Sequence, residues 1–443
     1  MTSSNYSGNG GATLWRAPHV RGPLHATVEI PGSKSLTNRE LILSAVADAP
    51  SLLRRPLHSR DSALMIEALR AVGVTVTEQP GDGAESDLLI TPAPLTGNVS
   101  IDCGLAGTVM RFVPPLSTLA DGPVTFDGDE GARRRPMAGT IDSLRALGVS
   151  VTDDGRGTLP FTVEGTGDVP GGPIVIDASK SSQFVSGLLL VGARMTNGLT
   201  VTHEGEHLPS MPHIEMTCET LRQRGVTVES PRLGVWTVTA GPIAGATVDI
   251  EPDLSNAAPF LCAAIVAGGT VTIPAWPETT TQVGNDLLDY LPLFGASITR
   301  DERGVTIDGG EGFVGGRRIP GVNLDLSTGG ELAPPLVALA ALASEPSTFT
   351  GIAHLRGHET DRLAALVTEI NKLGGNAEEL PDGIRVTPAP LHGGEWHSYH
   401  DHRMATSGAL LGLAIDGIVV ENVETTAKTL PRFVDMWQGM LAE

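Results

Sequence analysis

Cysteine is nearly absent from this 443-residue sequence. The three present, Cys103, Cys218 and Cys262, lie far apart without CxxC spacing. That pattern excludes a disulfide framework and a zinc ribbon, and the expectation is three small buried hydrophobes. Aromatic residues make up only 4% of the chain. No apolar run reaches the roughly 18 residues of a membrane-spanning helix, so no span is expected. Positive charge is also short: 30 Lys and Arg face 51 Asp and Glu, a formal net charge of −21. Such a surface argues against nucleic-acid binding, which needs a basic face. The first 14 residues, MTSSNYSGNGGATL, lack the apolar core of a signal peptide and read as a flexible tail. A reducing cytoplasm suits all of these absences.

Glycine (54) and proline (32) are plentiful, and hydrophobic residues reach 40%. This composition suits α/β packing with many short turns, and the length suggests two or three domains. A repeat organises the chain. EALRAVGVTVTE, DSLRALGVSVTD, ETLRQRGVTVES, LDYLPLFGASITR and EINKLGGNAEEL place Gly73, Gly148, Gly225, Gly295 and Gly374 at intervals of 70 to 79 residues. Four residues before each glycine stands Leu69, Leu144, Leu221, Leu291 or Ile370. Each copy predicts a helix closed by a left-handed glycine, followed by an alternating strand. The chain ends on a helix without a strand and opens on HATVEIPG, a strand without a helix. A sixth unit split between the termini is expected, with that N-terminal strand completing the C-terminal set. Two lobes of three units follow. A flexible tail covers 1–14, one lobe covers 15–32 with 249–443, and the other covers 33–248. A cleft between lobes is a natural small-molecule site, and two linkers permit hinge closure.

The stretch EIPGSKSLTNRE resembles a phosphate loop at first sight. The nucleotide-binding pattern GxxxxGK[ST] fails, because Ser33 precedes Lys34 and Thr27 stands at the first glycine position. A strand followed by Pro31-Gly32 and a helix capped by Ser35 or Thr37 would still attract an anion, helped by Lys34 and Arg39. Alone, the motif is equally a solvated basic turn. Similar groups recur at expected helix starts: Gly107, Thr108 and Arg111; Arg133, Arg134 and Arg135 before a proline; Ser181, Ser182 and Gln183; Glu359, Asp361 and Arg362; His400, Asp401, His402 and Arg403; and Lys428. One group per repeat implies a basic, hydroxyl-rich cleft for small, multiply anionic ligands. By contrast, Arg145, Arg222 and Arg224, just before repeat glycines, read as surface charges complementing helix dipoles.

PGSKSLTNR, LAGTVMRF, RRRPM, SSQF, HETDRLAAL, DHRMA and AKTLPRF, in this order, resemble the 5-enolpyruvylshikimate-3-phosphate (EPSP) synthase family over nearly the whole chain after the tail. The resemblance implies two lobes of three βαβαββ units, an inside-out α/β barrel. It implies transfer of the enolpyruvyl group of phosphoenolpyruvate to the 5-hydroxyl of shikimate 3-phosphate, with release of phosphate, on the way to chorismate and the aromatic amino acids. No metal or organic cofactor is implied. A monomer is expected, without nucleic-acid or membrane partners. Matched by position, Lys34, Ser35, Arg39, Ser181, Ser182, Gln183, Ser210, Glu331 and His358 would hold shikimate 3-phosphate. Lys34, Gly107, Arg135, Gln183, Arg362, Arg403 and Lys428 would surround phosphoenolpyruvate. The catalytic set would be Lys34, Glu331, Glu359 and His402. One carboxylate serves as base toward the hydroxyl, another acid/base group moves the methylene proton, and fixed cations stabilise an anionic tetrahedral intermediate. Residue type does not divide the two proton transfers between Glu331 and Glu359.

Six positions depart from the commonest family pattern. Glu40 stands for a small apolar residue, Leu105 for Asn, Glu331 for Asp, His358 for Lys, His354 for Asn and His213 for Tyr. A His at 358 could lose its charge near neutral pH where Lys would not, which predicts a pH-sensitive affinity for shikimate 3-phosphate. Gly107 implies room for the family's inhibitor, glyphosate. The rival readings are a UDP-N-acetylglucosamine enolpyruvyl transferase, a non-catalytic anion-binding lobe and a nucleic-acid end-processing enzyme. Lys34-Ser35 in place of Lys-Asn, together with the lack of a loop cysteine, opposes the first. The full catalytic set opposes the second, and the charge opposes the third.

Overall fold

The computed structural model describes residues 6–7, 13–81 and 85–442. Two compact units emerge: residues 32–251, and the stretch up to Pro31 together with Pro252 onward. Each has its own apolar core. The fold is mixed α/β, with six small four-stranded sheets among the described residues, none closed into a barrel.

The unit 32–251 carries helices α1 (Lys34–Ala45), α2 (Arg60–Ala71), α3 (Gly107–Ser117), α4 (Glu130–Arg133), α5 (Ala138–Ala146), α6 (Gln183–Gly192) and α7 (Met211–Gln223). Its sheets run Val99–Asp102, Pro123–Asp127, Phe161–Glu164, Val151–Thr152; then Gly172–Ile176, Leu199–His203, Val235–Val238, Val228–Arg232; and Thr247–Asp249, Ser51–Arg54, Asp87–Thr91, Thr75–Gln79. The other unit carries α8 (Leu254–Ala267), α9 (Leu287–Tyr290), α10 (Ala333–Ala340), α11 (Arg362–Lys372), α12 (His402–Ala414) and α13 (Phe433–Ala442). Its sheets run Leu24–Thr27, Gly269–Ile273, Gly304–Asp308, Ser297–Asp301; Asn323–Asp325, Ser347–Thr350, Gly383–Thr387, Asn376–Leu380; and Glu395–Trp396, Val419–Glu421, Thr13–Arg16, Tyr6–Ser7. Every sheet has one parallel pair followed by two antiparallel pairs. Helices α3 and α8 are buried along their whole length.

The repeat glycines do what their spacing predicts. Gly73, Gly148, Gly225, Gly295 and Gly374 all have positive φ, between 80° and 97°. In each case the residue after the glycine donates its N–H back across the cap, to the carbonyl of Leu69, Leu144, Leu221, Leu291 or Ile370. A second device accompanies the cap. The side chain three residues before the glycine donates to the carbonyl three residues after it: Arg70 to Val76 (2.7 Å), Arg145 to Val151 (2.9 Å), Arg222 to Val228 (3.4 Å) and Asn371 to Ala377 (2.9 Å). In the Gly295 copy that position is Pro292, which has no such donor. Arg145 and Arg222 therefore tie helix to strand in addition to meeting the helix dipole.

Three expectations are corrected. Leu24–Thr27, which overlaps the start of HATVEIPG, does not complete the C-terminal set, because it pairs in parallel with Gly269–Ile273. Thr13–Arg16 completes that set by pairing with Val419–Glu421. Thr13 and Leu14, read as the end of a flexible tail, are thus strand residues, as are Tyr6 and Ser7; the rest of that tail lies outside the described residues. Arg224 is no surface charge. It is buried against Glu40, with Nε 3.0 Å from Glu40 Oε2.

Candidate active site

In the unit 32–251, polar side chains of α1 reach the first two turns of α2, α3, α6 and α7. Ser33, not Ser35 or Thr37, caps α1 by accepting from the Leu36 N–H. Gly32 has no room for a Cβ, which would collide with the Arg55 carbonyl, so the turn into α1 lies against backbone. Lys34 Nζ lies 3.4 Å from Asp61 Oδ2, and Asp61 is buried on the first turn of α2. Asn38 donates to Thr108 Oγ1 at 2.6 Å and so links α1 to α3.

Gly107 opens α3. A Cβ there would meet Arg135 Nη2 at 3.1 Å and Arg111 Nη1 at 3.2 Å, so two guanidiniums face its Cα. Arg135 also donates to the Leu105 carbonyl at 3.3 Å, and Arg111 to the Pro136 carbonyl at 3.1 Å. Its neighbours Arg133 and Arg134 instead pair outward with Asp127 and Glu130. Only the third arginine of the run turns in.

Ser181 Oγ accepts from the Gln183 N–H at 3.2 Å, and Ser182 is the N-cap of α6. Ser210, the N-cap of α7, sits in the left-handed region at φ 54°, a conformation that a residue with a Cβ adopts only when its surroundings enforce it. Arg39 lies on α1. It is buried and donates to the Ser35 carbonyl (2.9 Å), Thr217 Oγ1 (2.8 Å) and the His213 carbonyl (2.9 Å), with its guanidinium over Phe112. It braces α1 against α7.

The other unit carries a second cluster. Glu359, nearly buried, receives Lys428 Nζ on Oε1 and Arg362 Nη2 on Oε2 (3.0 Å). Arg362 opens α11 and also grips Asp401, Nε to Oδ2 at 2.7 Å and Nη2 to Oδ1 at 3.1 Å. Burial alone would lower the Arg362 pKa, but Asp401 and then Glu359 outweigh it and hold the guanidinium above its ordinary value. Asp401 also caps α12 by accepting from the Arg403 N–H. His402 follows, its Nδ1 3.7 Å from Asp401 Oδ1. Arg403 Nη1 donates to the Ser255 carbonyl at 3.2 Å, while Ser255 Oγ donates to Glu331 at 2.8 Å. Burial lowers the Arg403 pKa, Glu331 opposes that shift and Arg362 adds to it. His358 Nδ1 lies 3.5 Å from Arg362 Nη1 and 4.0 Å from Glu359, and its ring meets His354 edge-on.

The structure thus joins Lys428, Glu359, Arg362, Asp401, Arg403, Ser255 and Glu331 through direct contacts. Asp61 and Ser255 were missed from sequence. Each sits on the first turn of a helix capped by Ser59 or Asp253, which was the available signal. All three cysteines are buried, and burial pushes each thiol up to about 12, so none is a reactive thiolate.

The sequence model of the family described as EPSP synthase (3-phosphoshikimate 1-carboxyvinyltransferase) matches residues 19–437. This chain belongs to the EPSP synthase family. A relative from Kocuria rhizophila named 3-phosphoshikimate 1-carboxyvinyltransferase is 56% identical over 435 residues, covering 97% of this chain and 96% of the relative. An EPSP synthase structure from Acinetobacter baumannii superposes with a TM-score of 0.78 at 24% identity, covering 96% of this chain and 98% of that one. The enolpyruvyl transferase NikO from Streptomyces tendae gives 0.75 at 18% identity, covering 96% of this chain and 97% of that one. At these identities the two structures establish the fold alone.

Proposed function

We propose that this chain transfers the enolpyruvyl group of phosphoenolpyruvate to the 5-hydroxyl of shikimate 3-phosphate and releases inorganic phosphate. The observation that carries this is the 56% identity over 97% of the chain to a 3-phosphoshikimate 1-carboxyvinyltransferase. The 5-oxygen bonds to C2 of phosphoenolpyruvate as its proton leaves, and C3 gains a proton to become a methyl group. The C2–O bond to phosphate then breaks as the methyl loses a proton, restoring the double bond. Two proton movements require acid/base groups near both centres. Glu331, held by Ser255, and Glu359, held by Lys428 and Arg362, are the candidates. An anionic substrate would compete with Glu359 for those two cations, and their withdrawal would free its carboxylate to take a proton. Lys34, Arg135, Arg362, Arg403 and Lys428 supply the positive charge that a phosphate-bearing tetrahedral intermediate needs.

We assign shikimate 3-phosphate chiefly to the lobe 33–248, through Lys34, Ser35, Arg39, Ser181, Ser182, Gln183 and Ser210, and name Glu331 and His358 as further ligands. Phosphoenolpyruvate falls chiefly to the lobe of 15–32 and 249–443, through Arg362, Arg403 and Lys428, with Lys34, Gly107, Arg135 and Gln183 contributing. Each lobe is read as three βαβαββ units in an inside-out α/β barrel. The enzyme is placed in the cytoplasm as a monomer that needs no metal or organic cofactor. The test is phosphate release from purified protein given both substrates, with each alone as control and no added metal or nucleotide. Release that requires both supports the assignment. Release with UDP-N-acetylglucosamine in place of shikimate 3-phosphate would move the chain to that activity, and no release with either acceptor would overturn catalysis.

A further inference from the structure

Tyr399 and His400 are consecutive non-glycine residues in the left-handed region, at φ 55° and 57°. Two bulky side chains in a row adopt it only where the surroundings enforce it. The enforcing group is Glu369 on α11, which is fully buried. Its Oε1 accepts from Tyr399 Oη at 2.8 Å. Its Oε2 accepts from the His397 N–H at 2.9 Å and from Lys372 Nζ at 2.8 Å. One carboxylate therefore holds the approach to the turn at two points, 397 and 399. Asn422 Nδ2 meets His400 Nδ1 at 3.0 Å, and the Asp401 N–H closes back on the Ser398 carbonyl at 2.9 Å.

The next residues are Asp401, His402 and Arg403. Arg362 and Glu369 are seven positions apart on α11 and therefore share a face. Arg362 holds Asp401, and Glu369 holds 397 and 399. One helix grips the segment 397–401 at two points.

We propose that Glu369 and Tyr399 are positioning residues that hold this strained turn so that Arg403 meets phosphoenolpyruvate correctly. The inference rests on the assignment of Arg403 to phosphoenolpyruvate. It goes further by naming the groups that aim Arg403.

The test is steady-state kinetics on the full chain for Tyr399→Phe, Arg403→Lys, the double variant and Lys372→Ala, with thermal melts alongside. Tyr399→Phe removes only the hydroxyl that reaches Glu369. It should lower kcat/KM for phosphoenolpyruvate about tenfold, the worth of one hydrogen bond to a charged group. KM for shikimate 3-phosphate should stay within about twofold. The double variant should lose less than the product of the single losses, because both act on one group. Lys372→Ala removes a contact to the same carboxylate without touching the turn and should leave the kinetics unchanged. A lowered melting temperature in Tyr399→Phe with unchanged kinetics would overturn the proposal and leave a purely structural contact. Equal losses toward both substrates would overturn it too. Unchanged kinetics in Arg403→Lys would fail the underlying assignment, and the proposal with it. Glu369→Gln is a harsher second variant, since its amide would face two donors at Oε2. Refolded Glu369→Gln should show the same selective loss toward phosphoenolpyruvate, and its absence would count against the proposal.

Discussion

Replacing Glu40 with Leu should destabilise the unit 32–251 by about 3–5 kcal/mol, the usual loss when one partner of a buried ion pair is removed. Both side chains are buried, at 1% exposure for Arg224 and 2% for Glu40. Arg224 would keep Ser51 Oγ at 2.7 Å, the Ala244 carbonyl at 3.0 Å and Ser44 Oγ at 3.0 Å, but no counter-charge. Those three neutral acceptors place the expected loss toward the lower end of the range. Arg224→Met has a different signature. Burial already raises the Glu40 pKa, and Arg224 is the group opposing that rise. A carboxyl group whose folded pKa lies above its unfolded value destabilises the fold only when ionised. Arg224→Met should therefore match the parent most closely below about pH 4, the unfolded value, and lose stability as pH rises through the folded pKa. Glu40→Leu with Arg224→Met, which buries two apolar side chains, should recover most of either single loss, so the coupling should exceed about 3 kcal/mol. Urea denaturation at pH 5 and pH 8 measures all three. Additive single losses, or a Glu40→Leu loss below about 1 kcal/mol, would refute the reasoning, because that is how a solvent-screened surface pair behaves.

Gly107→Ala would press a methyl group against the ends of Arg135 and Arg111 at 3.1–3.2 Å. These flexible ends can shift, so the fold should survive while KM for phosphoenolpyruvate rises by about tenfold and KM for shikimate 3-phosphate holds. Lys428→Met removes the cation on Glu359 Oε1 and should lower kcat by at least about a hundredfold, measured as phosphate release. The Asp153 carboxyl is held below its usual range by the N–H of Gly157 first, then by Arg145 and the N–H of Gly155. Its stabilisation is present above the unfolded value of about 3.9 and is lost as pH falls through the lower folded value. Asp153→Asn should therefore be less stable than the parent at pH 7, with the difference closing in acid urea titrations.

Local interactions are what could be read before any folding. The glycine caps close within six residues, and the Arg70, Arg145 and Arg222 ties reach six positions along the chain, so a repeated string carries them whole. The helix starts at Gly107, Gln183, Arg362 and His402 were legible for the same reason. The cap of α1 was misjudged because Ser33, Ser35 and Thr37 are chemically alike, and only backbone geometry separates them. The terminal strands were misassigned because Thr13–Arg16 and Leu24–Thr27 both read as strands, and pairing partners hundreds of residues away leave no local mark.

The family pattern made Glu40 look like a departure without a reason. Its reason is Arg224, 184 residues later in sequence and in direct contact in the fold. Arg39 meets Ser35 in its own helix, but also Thr217 and the His213 carbonyl, which lie more than 170 residues away in sequence. The sequence alone determined the repeat, its caps and strands, and the inventory of cations, hydroxyls and carboxylates, because residue type and short spacing dictate these. Only the tertiary structure decided which charge faces which. Arg135 turns in where Arg133 and Arg134 turn out, and Glu369 holds the turn before Asp401, because a side chain's partner is set by the packing of elements far apart in the chain.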